Sequence, residues 1–101
     1  MKYYMAGIKG TGMSALALLL SDLGYDIVGY DDASEHRFTE DKLIERGIKI
    51  YSEPNDEMDE ETIVIYSPAL RIDEHPELLK AKEMGLRIYE YEEMLGKLLK
   101  N

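Results

Sequence analysis

Cysteine and tryptophan are absent from this 101-residue sequence, and proline occurs only three times. Without cysteine the chain forms no disulfide and offers neither a zinc-thiolate site nor a thiol nucleophile. Long hydrophobic runs are also missing, because the longest uninterrupted apolar stretch, residues 15–20, is far too short to cross a bilayer. The first residues lack the apolar stretch of a cleavable signal. These absences predict a cytoplasmic protein without membrane insertion.

Positive charge is scarce as well, since 12 Lys and Arg stand against 21 Asp and Glu and give a formal net charge of −9. Binding along a nucleic-acid backbone needs an excess of Lys and Arg on one face, so we expect no nucleic-acid partner. Hydrophobic residues make up 45% of the chain and charged residues 33%, a balance typical of a folded globular domain. The length leaves room for one domain, expected over residues 1–101.

Apolar runs of strand length alternate with segments of helical period, a pattern typical of βα units on a parallel sheet. Strands are predicted at residues 2–6, 25–30, 48–51, 62–66 and 86–89, and helices at residues 13–23, 39–46, 76–85 and 92–99. The fold class is therefore α/β, a Rossmann-like three-layer domain with a five-stranded parallel sheet. The 62–66 strand, which is apolar and rich in β-branched residues, is expected to be central.

The buried faces of the helices follow from residues recurring at spacings of three and four. This spacing selects Leu16, Leu19, Leu20 and Leu23 in the first helix, and Leu78, Leu79 and Met84 in the third. Thr39 is the predicted cap of the second helix. Residues 52–61 carry six Asp or Glu and are predicted to be a solvated loop, but the ligand spacing of a calcium loop is missing and no metal site is expected.

A glycine-rich segment, Gly7-Ile8-Lys9-Gly10-Thr11-Gly12-Met13-Ser14, lies between the first predicted strand and the first helix, where doubly wound folds hold phosphates. Glycine lets the backbone approach a ligand, and the free N–H groups of a helix N-terminus favour an anion. The spacing G-x-x-G-x-G differs from the dinucleotide fingerprint G-x-G-x-x-G. The same glycines could instead make only a tight turn, and Lys9 and Ser14 either add a charge and a hydroxyl at the phosphates or face solvent.

Polar residues follow the second and fourth predicted strands at the same edge of the sheet. Asp31 and Asp32 lie about twenty residues beyond the glycine loop, where a carboxylate can accept hydrogen bonds from ribose hydroxyls. For Asp32, ordinary turn chemistry before Ala33 and Ser34 is the favoured explanation. Ser67 could donate to a phosphate or a sugar. Both histidines are interpreted as surface or capping residues, and of the two His36 is the better candidate for a nucleobase contact.

Several segments, taken in order, resemble the beginning of the Mur ligases, the enzymes that add amino acids to peptidoglycan precursors of the cell wall. The matching segments are GIKGTGMSALA at residues 7–17, GYDIVGYD at 24–31, GIKI at 47–50, SPAL at 67–70, HPE at 75–77 and YEEML at 91–95. The resemblance covers essentially the whole chain. It implies a Rossmann-like domain that binds the UDP part of UDP-N-acetylmuramic acid.

By this resemblance, the diphosphate and adjoining sugar contact Gly10, Thr11, Gly12, Met13 and Ser14, Asp31 contacts the ribose, and Ser67 contacts the nucleotide. The complete ligase implied adds L-alanine through ATP-dependent chemistry. ATP and Mg²⁺ bind in its other domains, because this chain has no G-x-x-G-K-[ST] loop. The central and C-terminal domains are therefore expected to be absent here. The chain itself is expected to bind the UDP-sugar without turning it over, with no cofactor of its own and the remaining ligase domains as partners.

Two other readings of the sequence stay open. One is a stand-alone Rossmann-like regulatory module for NAD or another nucleotide, although a complete dinucleotide site uses two βαβαβ halves. The other is a structural or interaction domain that uses the acidic surface or the helix at residues 92–99 to bind a partner.

Overall fold

The computed structural model describes residues 1–33 and 38–100 as alternating strands and helices. The elements are β1 (Lys2–Ala6), α1 (Thr11–Asp22), β2 (Asp26–Tyr30), α2 (Phe38–Glu45), β3 (Lys49–Tyr51), β4 (Ile63–Tyr66), α3 (Pro76–Glu83), β5 (Arg87–Glu90) and α4 (Tyr91–Leu99). The five strands form one parallel sheet in the order β3-β2-β1-β4-β5. The predicted fold class is confirmed. β1 is the middle strand, whereas β4 lies between β1 and β5.

Alternate residues of β1 supply the two faces of the sheet, as the two-residue period of a strand requires. Tyr3 and Met5 join a cluster with buried side chains of α1, α2 and α4, including Leu20. Tyr4 and Ala6 point to the other face. That face is covered by α3 and by Met58, which lies in the loop between β3 and β4. Helices on both faces of a sheet make the three-layer arrangement that the sequence predicts.

The helix faces differ from the prediction. In α1 the buried stripe runs through Met13, Leu16, Ala17 and Leu20, so Leu19 and Leu23 are exposed rather than buried. Leu79 and Met84 are likewise exposed beside the buried Leu78 and Ala81 of α3. In both helices a small alanine faces the sheet, where it lets the helix backbone approach closely. The larger leucines then lie at the border of the stripe.

The predicted cap of α2 is also wrong. The helix begins at Phe38, so Thr39 lies inside it, and the Thr39 hydroxyl donates to the Lys9 carbonyl at 2.8 Å. This bond fastens α2 to the glycine loop. Across the described residues, no helix is long and apolar enough to span a bilayer.

The acidic loop, residues 52–62, is irregular as predicted but is tied to the sheet and to α3. Asn55 Nδ2 donates to Tyr4 Oη at 2.9 Å, and the Tyr4 hydroxyl donates to Glu77 Oε1 at 3.1 Å. Glu77 is buried in α3 and pairs with Lys80 at 3.0 Å. Burial and the neighbouring Glu77 charge raise the pKa of Tyr4, so its phenol stays protonated and donates.

Candidate functional site

A cavity of about 240 Å³ opens at the carboxyl ends of β1, β2 and β4. The chain runs from β1 outward to β2 and β3 on one side, and returns to β4 and β5 on the other. Open α/β sheets bind ligands at this reversal of strand order, in the crevice outside the carboxyl ends. The walls combine the glycine loop, the end of β2 and the turn after β4, with Gly7, Asp31, Ser67 and His75 among the lining residues.

Gly7 fixes the first turn of the glycine loop against its neighbours. Its φ of +84° lies in the left-handed region, and a Cβ at this position would lie 2.7 Å from the Ser67 Cβ. Its N–H donates to the Tyr30 carbonyl at 2.7 Å. Ile8, which follows, is fully buried, and its side chain occupies the space above Gly29. The loop is therefore held rigidly at the cavity wall.

Helix α1 begins beside the cavity with unpaired backbone donors. Gly10 is its N-cap and lines the cavity, and within the described part of the chain no side chain caps the helix. The first intrahelical bond is donated by Ser14 N to Gly10 O at 2.8 Å, which leaves the N–H groups of Thr11, Gly12 and Met13 without helical acceptors. The first turn contains no acidic residue. Together with the helix dipole, these donors favour an anion.

Gly12 lets α4 approach the start of α1. A Cβ at Gly12 would lie 2.9 Å from Cζ of Tyr91, the first residue of α4. At this position, close helix packing therefore requires glycine regardless of any ligand.

Three residues proposed for the phosphates use their side chains elsewhere. Lys9 is buried, and its Nζ lies 3.1 Å from Glu40 Oε1 and donates to the Ala33 carbonyl at 3.1 Å. The Ser14 hydroxyl donates to Thr11 O at 3.0 Å within the helix. Met13 is part of the core. Ser14 therefore has neither its hydroxyl nor its N–H available at the N-terminus of α1. Met13 has only its backbone N–H available there.

Asp31 links the glycine loop to the end of β2. Its Oδ2 accepts from Lys9 N at 2.9 Å and its Oδ1 accepts from Ala33 N at 3.0 Å. Each carboxylate oxygen has a second lone pair, so the oriented group can still accept a hydroxyl. Asp32 also lines the cavity, and its side chain is 67% exposed. Both predicted carboxylates therefore lie at one wall.

Ser67 lies at the opposite wall, on the turn after β4. Its Oγ accepts from Ala69 N at 3.2 Å, which leaves the hydroxyl hydrogen available to a ligand. His36 lies outside the described residues, so the predicted nucleobase contact has no structural counterpart to report.

His75 and Tyr30 also line the cavity, and neither is predicted to do so by the sequence. Their rings meet edge to face at 5.3 Å. His75 caps α3 as predicted, because its Nδ1 accepts from Glu77 N at 3.2 Å. Burial, and then the charge of Asp32, raise the pKa of the Tyr30 phenol. The position of His75 could have been predicted from Pro76, because proline favours the first turn of a helix. That places His75 at the N-terminus of α3, which follows β4 and so lies at the carboxyl edge of the sheet.

No metal centre accompanies the cavity in the part of the chain that the structure describes, where no three His, Asp or Glu side chains converge. The arrangement of backbone donors, a fixed carboxylate and a hydroxyl can bind an anionic sugar nucleotide. It contains no paired nucleophile and base.

Comparison with known proteins gives matches along nearly the whole chain. Residues 2–101 match the protein family described as "Mur ligase family, catalytic domain". The sequence is 46% identical over 97 residues to a UDP-N-acetylmuramate–L-alanine ligase from Lactiplantibacillus plantarum and 45% identical to one from Lacticaseibacillus casei. Each alignment covers 96% of this chain and 22% of the relative. The chain thus spans about a fifth of the length of these relatives.

A solved structure has the same fold. The crystal structure of a UDP-N-acetylmuramate-alanine ligase from Thermotoga maritima superposes with a TM-score of 0.84 at 31% sequence identity. The match covers 99% of this chain and 23% of that one.

Proposed function

This chain belongs to the Mur ligase family, and from that premise we propose that it recognises the UDP part of UDP-N-acetylmuramic acid. In the complete ligase the bound sugar nucleotide would receive L-alanine in an ATP-dependent reaction. The names of the relatives, UDP-N-acetylmuramate–L-alanine ligases, support this substrate and this amino acid. The chain's own contribution is binding and positioning, with the remaining ligase domains as partners that supply ATP and Mg²⁺ sites.

The observation that carries the proposal is the cavity at the strand-order reversal, where α1 begins with unpaired N–H groups beside a fixed carboxylate. Thr11, Gly12 and Met13 would donate their backbone N–H groups to the diphosphate, as helix N-termini do for phosphates generally. Gly10 leaves the approach open, because a Cβ there would meet no atom nearer than 3.5 Å.

Asp31 would accept the ribose hydroxyls. The two backbone N–H groups that it already binds, from Lys9 and Ala33, hold the carboxylate in place before the ligand arrives. Such preorganisation reduces the entropy lost on binding. Ser67 would donate from the facing wall, and Asp32 would contact the uracil.

Lys9 and Ser14 would contribute less directly than the loop backbone. The Lys9 ammonium pairs with Glu40, so it offers the diphosphate a partly neutralised charge. Ser14 steadies the first turn of α1 through its bond to Thr11. The anion is therefore held mainly by main-chain donors.

An NMR titration of the ¹⁵N-labelled chain with UDP and with UDP-N-acetylmuramic acid tests the proposal. The amides of residues 10–14 should shift at millimolar ligand or below, since an isolated domain of this kind is expected to bind with a Kd of roughly micromolar to millimolar. Absence of any shift in these amides at millimolar UDP would contradict the proposal.

The Asp31→Asn variant should weaken UDP binding by on the order of 1–3 kcal/mol, because charge-assisted hydrogen bonds to the ribose are lost. Asp26→Asn is the matched control, since it makes the same charge change at the exposed amino end of the same strand. Equal affinities of the two variants would remove Asp31 from the site.

A further inference from the structure

Among the described residues that line the cavity, His75 has a polar side chain that is nearly buried and that the contacts proposed above leave unused. Its side chain is only 10% exposed. It lies at the N-terminus of α3 and lines the cavity together with Asp32. A group this far removed from water needs hydrogen-bond partners for both ring nitrogens.

One of the two ring nitrogens already has a hydrogen-bond partner. Nδ1 accepts a hydrogen bond from Glu77 N at 3.2 Å, so Nδ1 carries no proton and the neutral ring carries its proton on Nε2. The edge-to-face contact with Tyr30, at an interplanar angle of 88°, holds the ring in this orientation. The imidazole therefore presents a single fixed donor, Nε2–H, at the cavity.

An acceptor lies beside that donor. The Nε2 atom is 3.9 Å from Asp32 Oδ2, too far for a direct hydrogen bond. Both the Nε2–H donor and the carboxylate acceptor can therefore form a hydrogen bond to a ligand. A fixed donor next to an anionic acceptor is complementary to a ligand edge on which a carbonyl oxygen lies next to an N–H.

We propose that His75 and Asp32 together read the imide edge of uracil. His75 Nε2–H would donate to the uracil O4, and the Asp32 carboxylate would accept from the N3–H beside it. Cytosine carries an amino donor at the position of the uracil O4 and an acceptor at N3, the reverse pattern. The pair would thus select uridine over cytidine nucleotides. This inference rests on the proposed function and adds to it the residues that choose the base.

Comparison of UDP with CDP isolates the base, because the two ligands share ribose and diphosphate. Calorimetric titrations near pH 8, where histidine side chains are ordinarily neutral, should give the wild-type chain about tenfold or greater preference for UDP, since the wrong base leaves both polar groups unpaired. The His75→Asn variant should bind UDP more weakly and reduce the preference to about threefold or less. Asparagine still caps α3, so the helix is retained.

Asp32→Ala provides a second variant that leaves α3 untouched. It should narrow the UDP to CDP ratio in the same way, whereas Asp26→Asn should keep the wild-type ratio. A wild-type ratio in both His75→Asn and Asp32→Ala, with UDP still bound, would overturn the base-reading pair and leave UDP recognition intact. Equal binding of UDP and CDP by the wild-type chain would overturn it as well. Failure of the wild-type chain to bind UDP would instead refute the proposed function, and this inference with it.

Discussion

Gly7 shows how one residue can be constrained twice at the same position. Its backbone is left-handed, and its α-carbon lies against the turn after β4, where a Cβ would meet Ser67. Gly47 has a similar φ of +80°, but a Cβ there would meet nothing within 4 Å. The two glycines therefore separate the cost of backbone strain from the cost of lost space.

Alanine at each position should measure these costs. Gly47→Ala should lower the free energy of unfolding by about 1–2 kcal/mol, the usual penalty for a side chain in the left-handed region. Gly7→Ala should lower it by a further ~1–3 kcal/mol, because β1 and β4 must also separate to admit the methyl group. Urea denaturation of the two variants and the wild-type chain gives both values. Equal losses would mean that the turn after β4 adjusts freely.

The place of the candidate residues at the carboxyl edge of the sheet could be predicted from residue types and their order, but the partners of their side chains could not. Asp31 was predicted at the edge beside the glycine loop, and it lies there. Its bond to Lys9 N depends on how the loop turns back over β2, which no local pattern encodes. The pairing of Lys9 with Glu40 likewise joins residues of different elements.

At the scale of elements, the alternation of strands and helices could be predicted because β1 to β4 are short, contain apolar residues and are each followed by Gly, Asp or Ser. The side of α1 that faces the sheet could not be predicted from the sequence. Residues 15–20 are apolar on every side, so no polar face marks which side meets the sheet. The structure resolves this through size, because Ala17 and not Leu19 faces the core.

The acidic loop shows how an element without regular structure can still be fixed. Lys2 Nζ donates to the Glu57 carbonyl at 2.6 Å and lies 3.3 Å from its carboxylate, and the Tyr51 hydroxyl also binds that carboxylate. The hydrogen bond from Tyr51 and then that from Lys2 hold the pKa of Glu57 below its ordinary value of 4.5. The loop is thereby joined to the ends of β1 and β3.

This shift predicts a dependence of stability on pH. Because the carboxyl pKa of Glu57 is lower in the folded chain, its ionised form stabilises the fold above the unfolded pKa, and this contribution is lost as the pH falls through the folded pKa. The Glu57→Gln variant should therefore be less stable than the wild-type chain at neutral pH. The difference should shrink steadily below about pH 4.5. Thermal unfolding between pH 3 and pH 7 provides the measurement.

Glu60→Gln is the matched control, since it makes the same change at an exposed residue of the same loop. Its difference from the wild-type chain should vary much less with pH. A Glu57→Gln difference that stays constant from pH 7 to pH 3 would contradict the assigned pairing.

The molecule as a whole opposes the ligand that its cavity is proposed to bind. A net charge of −9 repels a sugar nucleotide at long range, while the loop amides attract it only at contact. Salt screens the long-range term first, because the Debye length falls from about 30 Å at 0.01 M to about 8 Å at 0.15 M.

The association rate of UDP should consequently rise with salt, by roughly twofold over that range. Uncharged uridine is the control ligand, and its association rate should not change. Stopped-flow or NMR line-shape measurements at several salt concentrations distinguish the two. If the association rate of UDP falls as salt is added, the electrostatic potential along the path to the cavity is positive instead.

The cavity walls come from stretches far apart in the chain, near residues 7–10, 30–33 and 67–75. β1 meets β4 through partners such as Tyr3 and Ile63, separated by sixty positions. Closing so long a loop is slow compared with forming a helix or a neighbouring β-α-β unit. During synthesis the ribosome must therefore deliver the chain as far as His75 before the crevice has all its walls. A nascent chain halted after β3 would carry the glycine motif and Asp31 yet have no opposite wall.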